Sequence, residues 1–154
     1  MHVAVDPRTG HVDILDYVAV EDVGRIINPA TLRAQVVGAV AQGLGSVFME
    51  HLRYDDNGQL LTGTLADYLI PTATDVPRVR AVSLGLRPCP NNPLGAKGAG
   101  EGGLIPTGGA VANAVAAALA DFCVEPHHLP LTPATLWRLI QAGQQREVPA
   151  SDRA

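Results

Sequence analysis

The sequence contains few of the residues that hold metal clusters or build disulfide frameworks. Its 154 residues include only two cysteines, Cys89 and Cys123, with no CxxC spacing and no Cys/His quartet. This count argues against a disulfide scaffold, an iron–sulfur cluster and a structural zinc site, and no metal ligands are predicted. Because free cysteine is among the residues most often buried in proteins, we expect both thiols to be buried.

Aromatic residues and positive charge are also scarce. Aromatics make up 4% of the chain, and the formal net charge is −4. Both values argue against a surface that binds nucleic acid. No basic segment followed by an apolar run is present at the start, and the most apolar stretch, residues 108–120, is too short to span a membrane. We therefore expect a cytoplasmic protein with no nucleic-acid partner and no membrane span.

The residues that are present predict an α+β fold. Hydrophobic residues make up 47% of the sequence, which is enough to form a core. Two β-rich runs within residues 2–23 flank a Pro/Gly turn and predict a hairpin. Residues 78–86 show the two-residue side-chain periodicity of a further strand. Three helices are predicted to pack on these mixed strands: one that begins at Asn28-Pro29, one over residues 107–122, and one from Thr132-Pro133 to Gly143.

No repeat or linker divides the chain. We therefore predict one domain over residues 1–143, followed by a polar tail over residues 144–154 that frays. Trp137 stands at helical spacing in the last predicted helix and is expected to lie in the core.

The most informative feature is the glycine-rich segment, residues 95–103, in which five of nine residues are glycine. Glycine lets a backbone pass close to a bound molecule and direct its N–H groups towards it. A single carboxylate, Glu101, lies within the segment. Walled by glycine and apolar residues, such a carboxylate is suited to act as a general base. The alternative is a flexible surface loop with a solvated glutamate.

The same segment also matches the GxGxxG pattern of dinucleotide-binding proteins. Gly98, Gly100 and Gly103 supply the glycines, and Asp121 lies near the position of a ribose-binding acid. The segment follows Pro88 and Pro93 instead of a buried strand, however, and the chain lacks repeated βαβ units. A dinucleotide site is therefore disfavoured.

The first predicted helix carries a second candidate motif, Gln42-Gly43-Leu44-Gly45. A glutamine amide offers two donors and one acceptor, which suits the polar edge of a cofactor, although a solvent-facing glutamine is the alternative. Gly38, Gly43 and Gly45 each cost about 1 kcal/mol relative to alanine inside a helix. Their presence indicates close approach of a ligand or of another backbone.

Taken in order, the motifs resemble the C-terminal part of the molybdenum-binding (large) subunit of the xanthine dehydrogenase/aldehyde oxidase/carbon monoxide dehydrogenase family. The resemblance covers about residues 2–142. The matching pieces are residues 20–29, 35–38 and 42–45, then Glu50, Tyr54-Asp55, Gly58-Gln59, Thr62, Asp67-Tyr68 and Pro71, and finally residues 92–95, 97–101 and 130–133.

The resemblance implies hydroxylation of a carbon centre of a small-molecule substrate, with water as the source of oxygen. It implies that Glu101 is the catalytic base. Gln42 and Gly43, together with Gly98 and Gly100, are the expected cofactor-binding residues. The implied cofactor is molybdopterin carrying molybdenum, with the cytosine dinucleotide form as one alternative. In this family the metal performs the redox chemistry, while the protein places the base and the substrate.

Length is the departure from the family pattern, because subunits of this family are several times longer. The resemblance therefore implies that the partners are the remaining part of the molybdenum subunit and the subunits or domains that carry iron–sulfur clusters and FAD. The isolated chain is expected to be inactive. The alternative is a truncated, non-catalytic relic or interaction module that keeps the fold.

Overall fold

The computed structural model describes residues 1–147 and confirms the α+β prediction. One three-stranded sheet packs with three helices. In chain order the elements are β1 (His2–Val5), β2 (Val12–Asp22), α1 (Pro29–Phe48), β3 (Val79–Leu84), α2 (Thr107–Ala118), a short 3-10 helix (Ala120–Phe122) and α3 (Pro133–Glu147).

The predicted hairpin is formed by β1 and β2, which pair in antiparallel fashion. The Asp6 carboxylate accepts hydrogen bonds from the Arg8 N–H (2.9 Å) and the Thr9 hydroxyl (3.1 Å), and these bonds close the turn. Gly10 ends the turn with φ of 74°, a left-handed conformation that favours glycine. A side chain at Gly10 would collide with the main chain of Pro133, so the turn lies directly against the start of α3.

The sheet is mixed because β3 pairs with β2 in parallel, with Val79 opposite Tyr17. Between the two strands the chain passes through α1, which begins as the sequence predicts. The side-chain oxygen of Asn28 accepts hydrogen bonds from the N–H groups of Ala30 (3.0 Å) and Thr31 (3.2 Å), and Pro29 is the first helical residue. Residues 49–78, which contain turns, bends and an isolated antiparallel bridge between Tyr54 and Leu60, complete the connection to β3.

The core lies between one face of the sheet and the helices. α1 packs on β3 and α2, while α2 packs on β1. Apolar side chains from all these layers are almost fully buried: Tyr17, Val40, Leu44, Val47, Val79, Val111, Val115, Leu119, Val124, Leu131, Leu136 and Ile140.

Two expectations about burial are wrong. Trp137 is 44% exposed, because Leu136 and Ile140 form the buried face of α3 and Trp137 is turned about 100° from Leu136 around the helix. Cys123 is exposed and Cys89 is only partly buried. Cys123 follows the 3-10 helix in a left-handed conformation, φ 51°, and Cys89 belongs to a surface segment without helix or strand.

The last helix is longer than predicted. α3 runs to Glu147, four residues beyond the predicted end at Gly143, and therefore includes the first part of the predicted tail. Residues 148–154 of that tail lie outside the described residues.

The glycines of α1 have different surroundings. A Cβ atom on Gly43 would lie 2.7 Å from Cβ of Thr107, the first residue of α2, so this glycine allows the two helices to approach. A side chain on Gly45 would meet the Glu50 carboxylate and Pro71. Gly38, in contrast, has no atom within 4 Å of such a Cβ. Packing within the domain therefore accounts for two of the three glycines, and Gly38 faces open space.

This difference gives a prediction with a matched control. Gly43→Ala should lower the free energy of unfolding by about 1–3 kcal/mol, because overpacking against Thr107 exceeds the gain in helix propensity. Gly38→Ala, in the same helix, should raise it by up to about 1 kcal/mol. Urea denaturation of both variants measures the two values. Equal changes in the free energy of unfolding of the two variants would contradict the packing role of Gly43.

Candidate functional site

The glycine-rich segment begins beside the end of β2, where it is held by backbone hydrogen bonds. Gly24 and Ala96 form an isolated antiparallel bridge, and the Lys97 N–H donates to the Val23 carbonyl at 2.9 Å. Gly24 and Gly95 both have positive φ, 63° and 67°. A side chain on Gly24 would collide with the Gly95 carbonyl. The close approach therefore requires glycine at this point.

The Asp22 side chain stabilises this junction. One carboxylate oxygen accepts the Gly24 N–H at 2.9 Å and the other accepts the Arg87 N–H at 3.0 Å. The Lys97 ammonium lies 3.5 Å from the first oxygen, and the Asp22 side chain is 24% exposed. The hydrogen bond from Gly24, followed by the charge of Lys97, lowers the pKa of Asp22 below its usual 3.8.

The other end of the segment is held by Thr107, which is fully buried. Its hydroxyl donates to the Gly103 carbonyl at 2.7 Å and lies 2.8 Å from the Tyr17 hydroxyl of β2. A Cβ atom on Gly103 would lie 2.7 Å from the Val36 carbonyl of α1, so the segment returns directly onto that helix. Both ends of the segment are thus fixed to the core.

A groove of about 340 Å³ lies between the start of α1 and the glycine-rich segment. Its walls are Val23, Arg25, Ile26, Ile27, Asn28, Thr31, Leu32, Gln35, Ala96, Lys97, Ala99 and Gly100. Among the described residues, those lining the groove include two cationic side chains, Arg25 and Lys97, and no carboxylate. Because Lys97 is paired with Asp22, the net positive charge beside the groove comes from Arg25, and this charge favours an anionic ligand.

The predicted site residues fall into two groups. Gly98 and Gly100 have no atom within 4 Å of an added Cβ, and Gly100 lines the groove. Gln42 is exposed on α1 but is not part of the groove wall, and Gly43 is buried against Thr107. A role for Gly43 in cofactor binding stays a prediction, whereas its packing role accounts for the missing side chain.

Glu101 is exposed to solvent in this chain. Its backbone carbonyl accepts the N–H groups of Leu104 (3.0 Å) and Ile105 (3.2 Å) in the turn that leads to α2. The described residues do not form the apolar surroundings of Glu101 that were expected from the sequence. Ile105, whose N–H donates to the Glu101 carbonyl, is itself 78% exposed. Any shelter around the carboxylate must come from a further polypeptide or a bound group.

Gln35 lines the groove but was not among the predicted site residues, although it belongs to the matching piece 35–38. Gln35 lines the groove together with Gly100 and Lys97, and it lies seven residues before Gln42. Seven residues are about two helical turns, so the two glutamines lie on the same side of α1. The spacing places the two glutamines on one side of α1 but does not distinguish them; the groove wall does, because it includes Gln35 and not Gln42.

Comparison with known proteins identifies the family. A model of the molybdopterin cofactor-binding domain matches residues 1–77, half of the chain. The chain belongs to the molybdopterin cofactor-binding domain family. The resemblance drawn from the motifs is thereby confirmed.

Relatives and solved structures extend the match across almost the whole chain. The gamma subunit of the 6-hydroxypseudooxynicotine dehydrogenase complex of Paenarthrobacter nicotinovorans is 38% identical over 147 residues, 96% of this chain and 18% of the relative. The carbon monoxide dehydrogenase large chain of Hydrogenophaga pseudoflava is 32% identical over 142 residues, 90% of this chain and 17% of the relative. Quinoline 2-oxidoreductase from Pseudomonas putida 86 superposes with a TM-score of 0.84 at 44% identity, covering 89% of this chain and 17% of that chain. The chain thus spans less than a fifth of these relatives.

The groove fits the cofactor for which the family is named. Molybdopterin carries a phosphate group, and the groove presents the cations Arg25 and Lys97 together with the amide of Gln35. The open space over Gly98 and Gly100 leaves their backbone accessible to a bound molecule. Within residues 1–147, no group of three or more His, Cys, Asp or Glu side chains is placed to hold a metal ion, and no helix is long and apolar enough to cross a membrane.

The Asp22 carboxylate, held by the Gly24 N–H and by Lys97, gives a pH-dependent prediction. Because folding lowers the pKa of Asp22, its stabilising contribution is fully present above the usual pKa of 3.8 and is lost as the pH falls through the lowered value. Asp22→Ala should therefore destabilise the fold at pH 6 and have progressively less effect as the pH falls below about 4. Guanidinium denaturation of the wild type and of Asp22→Ala, from pH 6 to below about 4, measures the difference in their free energies of unfolding. A difference that does not change with pH would contradict the role of the carboxylate.

Proposed function

We propose that this chain forms part of a molybdenum hydroxylase that oxidises a carbon centre of a small molecule with water as the source of oxygen. The observation that carries the proposal is the glycine-rich segment. It is fixed at both ends, carries Glu101, and borders a cationic groove in a member of the molybdopterin family. The relatives are larger oxidoreductase subunits, and the chain corresponds to one segment of them.

The residues have separate roles in this proposal. Arg25 holds the anionic part of the cofactor, assisted by Lys97, whose ammonium is shared with Asp22. Gln35 orients the polar edge of the cofactor. Gln42 lies on the same side of α1 as Gln35 and adds a second amide. Gly98 and Gly100 are proposed to offer backbone N–H groups. When bound, the molybdenum centre supplies the two-electron redox chemistry. Molybdopterin is the proposed cofactor, with its cytosine dinucleotide form as the alternative.

Glu101 is the proposed general base, which accepts a proton as the water-derived oxygen attacks the substrate. Its exposure in this chain is consistent with a base that faces a site completed by further polypeptide. The proposed partners are the remaining part of the molybdenum-binding subunit and the subunits that carry iron–sulfur clusters and flavin. The gamma-subunit relative, named for its complex, supports such an assembly.

A second candidate function is a non-catalytic module that keeps the fold. The exposure of Glu101 and the absence of shelter from the described residues favour it. The two candidates differ in one measurable respect: only the enzyme loses turnover when the carboxylate alone is changed.

Glu101→Gln therefore tests the catalytic role. In the assembled enzyme, this change keeps the size of the side chain but removes proton acceptance at neutral pH. The rate constant for reduction of the enzyme by substrate should fall by at least about 10²-fold, since general-base catalysis contributes about 10²–10⁴-fold. Molybdenum content should be unchanged. Rapid mixing measures the rate, and turnover within a few-fold of the parent would exclude Glu101 as the base.

The two glutamines of α1 test the cofactor site. Gln35→Ala and Gln42→Ala should each lower the molybdenum content of the assembled enzyme, because each removes an amide and no proton acceptor. The loss should be larger for Gln35, which lines the groove. Metal analysis after gel filtration gives the comparison, with Gln59→Ala, in an exposed turn, as the control. Full retention of molybdenum in both variants would contradict the placement of the cofactor.

A further inference from the structure

Gly38 is an exposed glycine whose missing side chain is not required by the described fold. It lies in the interior of α1, where glycine is less favourable than alanine. Side chains on Gly43 and Gly45 would collide with neighbouring elements, whereas a Cβ atom on Gly38 would have no described atom within 4 Å. Alanine at position 38 would therefore stabilise this fold, and the cause of the glycine lies outside it.

Gly38 differs in this respect from the other glycines that the structure places in helices. Gly143 of α3 lies against the Phe122 carbonyl, with which a side chain would collide. Gly108 and Gly109 belong to the first turn of α2, and the full cost of glycine applies to helix interiors. Among the described residues, Gly38 is thus the one glycine in a helix interior without a packing role.

The two candidate glutamines flank Gly38 on the surface of α1. At 100° per residue, Gln35, Gly38 and Gln42 lie within a sector of about 60° around the helix. All three are exposed. With a rise of 1.5 Å per residue, the two glutamines are about 10 Å apart along the helix axis. These three residues form the Gln35–Gln42 surface, in which backbone is exposed between two amides.

The glycine-rich segment runs beside this surface. A Cβ atom on Gly103 would lie 2.7 Å from the Val36 carbonyl and 3.1 Å from Cβ of Ala39, so the segment packs on α1 next to Gly38. Gln35 and Gly100 line the same groove. Glycine in such a position is typical of a backbone that a ligand approaches closely.

We propose that the molybdopterin cofactor extends from the groove onto the Gln35–Gln42 surface and contacts the backbone of α1 at Gly38. A flat ring system seated on Gly38 brings its polar edges within reach of both amides. This placement accounts for a cofactor role of Gln42, which is not part of the groove wall. The inference rests on the proposed function and assigns a contact to a further residue.

The test compares stability with cofactor content in Gly38→Ala and Gly38→Leu. In the chain alone, the urea midpoint of both variants should be at least that of the wild type, because alanine and leucine favour helix and meet no neighbour. In the assembled enzyme, molybdenum and pterin content should fall, and for Gly38→Leu by at least about tenfold, because the side chain overlaps the bound cofactor. A purely structural role of Gly38 would not produce opposite changes in stability and cofactor content.

The matched controls are Gly109→Ala and Gly109→Leu, at an exposed glycine of α2 that also has no atom within 4 Å of an added Cβ. Both should retain the molybdenum content of the wild type. Co-purification of the chain with the remaining polypeptide, from cells that make no molybdenum cofactor, measures assembly separately. Gly38→Leu should assemble like the wild type.

Three results would each overturn the inference: full molybdenum content in Gly38→Leu beside a loaded wild type, equal loss in Gly109→Leu, or loss of assembly by Gly38→Leu without cofactor. The last result would assign the space over Gly38 to the remaining polypeptide. A wild-type assembly that contains no molybdenum would refute the proposed function itself, and the inference with it.

Discussion

The hydroxyl group of Thr107 is the interaction on which the arrangement of the site depends. It is fully buried, lies 2.8 Å from the Tyr17 hydroxyl of β2 and donates to the Gly103 carbonyl at 2.7 Å. Its side chain also fills the space that Gly43 leaves on α1. A buried polar group is costly unless it is bonded, so this side chain has one favourable position. Through it the sheet, both helices and the end of the glycine-rich segment are fixed relative to one another.

The segment is thereby anchored but not covered. Asp22 holds its beginning and Thr107 its end, while Gly98 and Gly100 between them face open space. An anchored backbone binds a ligand at a lower entropic cost than a mobile loop, because less freedom is lost on binding. The same architecture leaves Glu101 in solvent, so the proposed role as a base requires shelter from another polypeptide or from a bound group.

Local signals predicted much of this fold, because they act within a few residues. The Asn28 cap and the turn at Gly10 depend on neighbouring atoms and appear as expected. The structural role of an individual glycine could not be predicted from its neighbours in the sequence. Gly43 makes room for Thr107, 64 positions away, whereas Gly98 makes room for nothing in the described chain. The exposure of Trp137 and Glu101 is likewise set by which neighbours the fold supplies, and Gln35 became a site residue only when α1 was placed beside Gly100.

The central claim is that this chain contributes part of a molybdenum cofactor site that is completed by the rest of the subunit. The most direct test is the molybdenum and pterin content of the chain purified alone, compared with that of the chain assembled with the remaining polypeptide in cells that make the cofactor. The account predicts no stoichiometric cofactor on the isolated chain and about one molybdenum per assembly. Stoichiometric cofactor on the isolated chain, or none in the assembly, would contradict it.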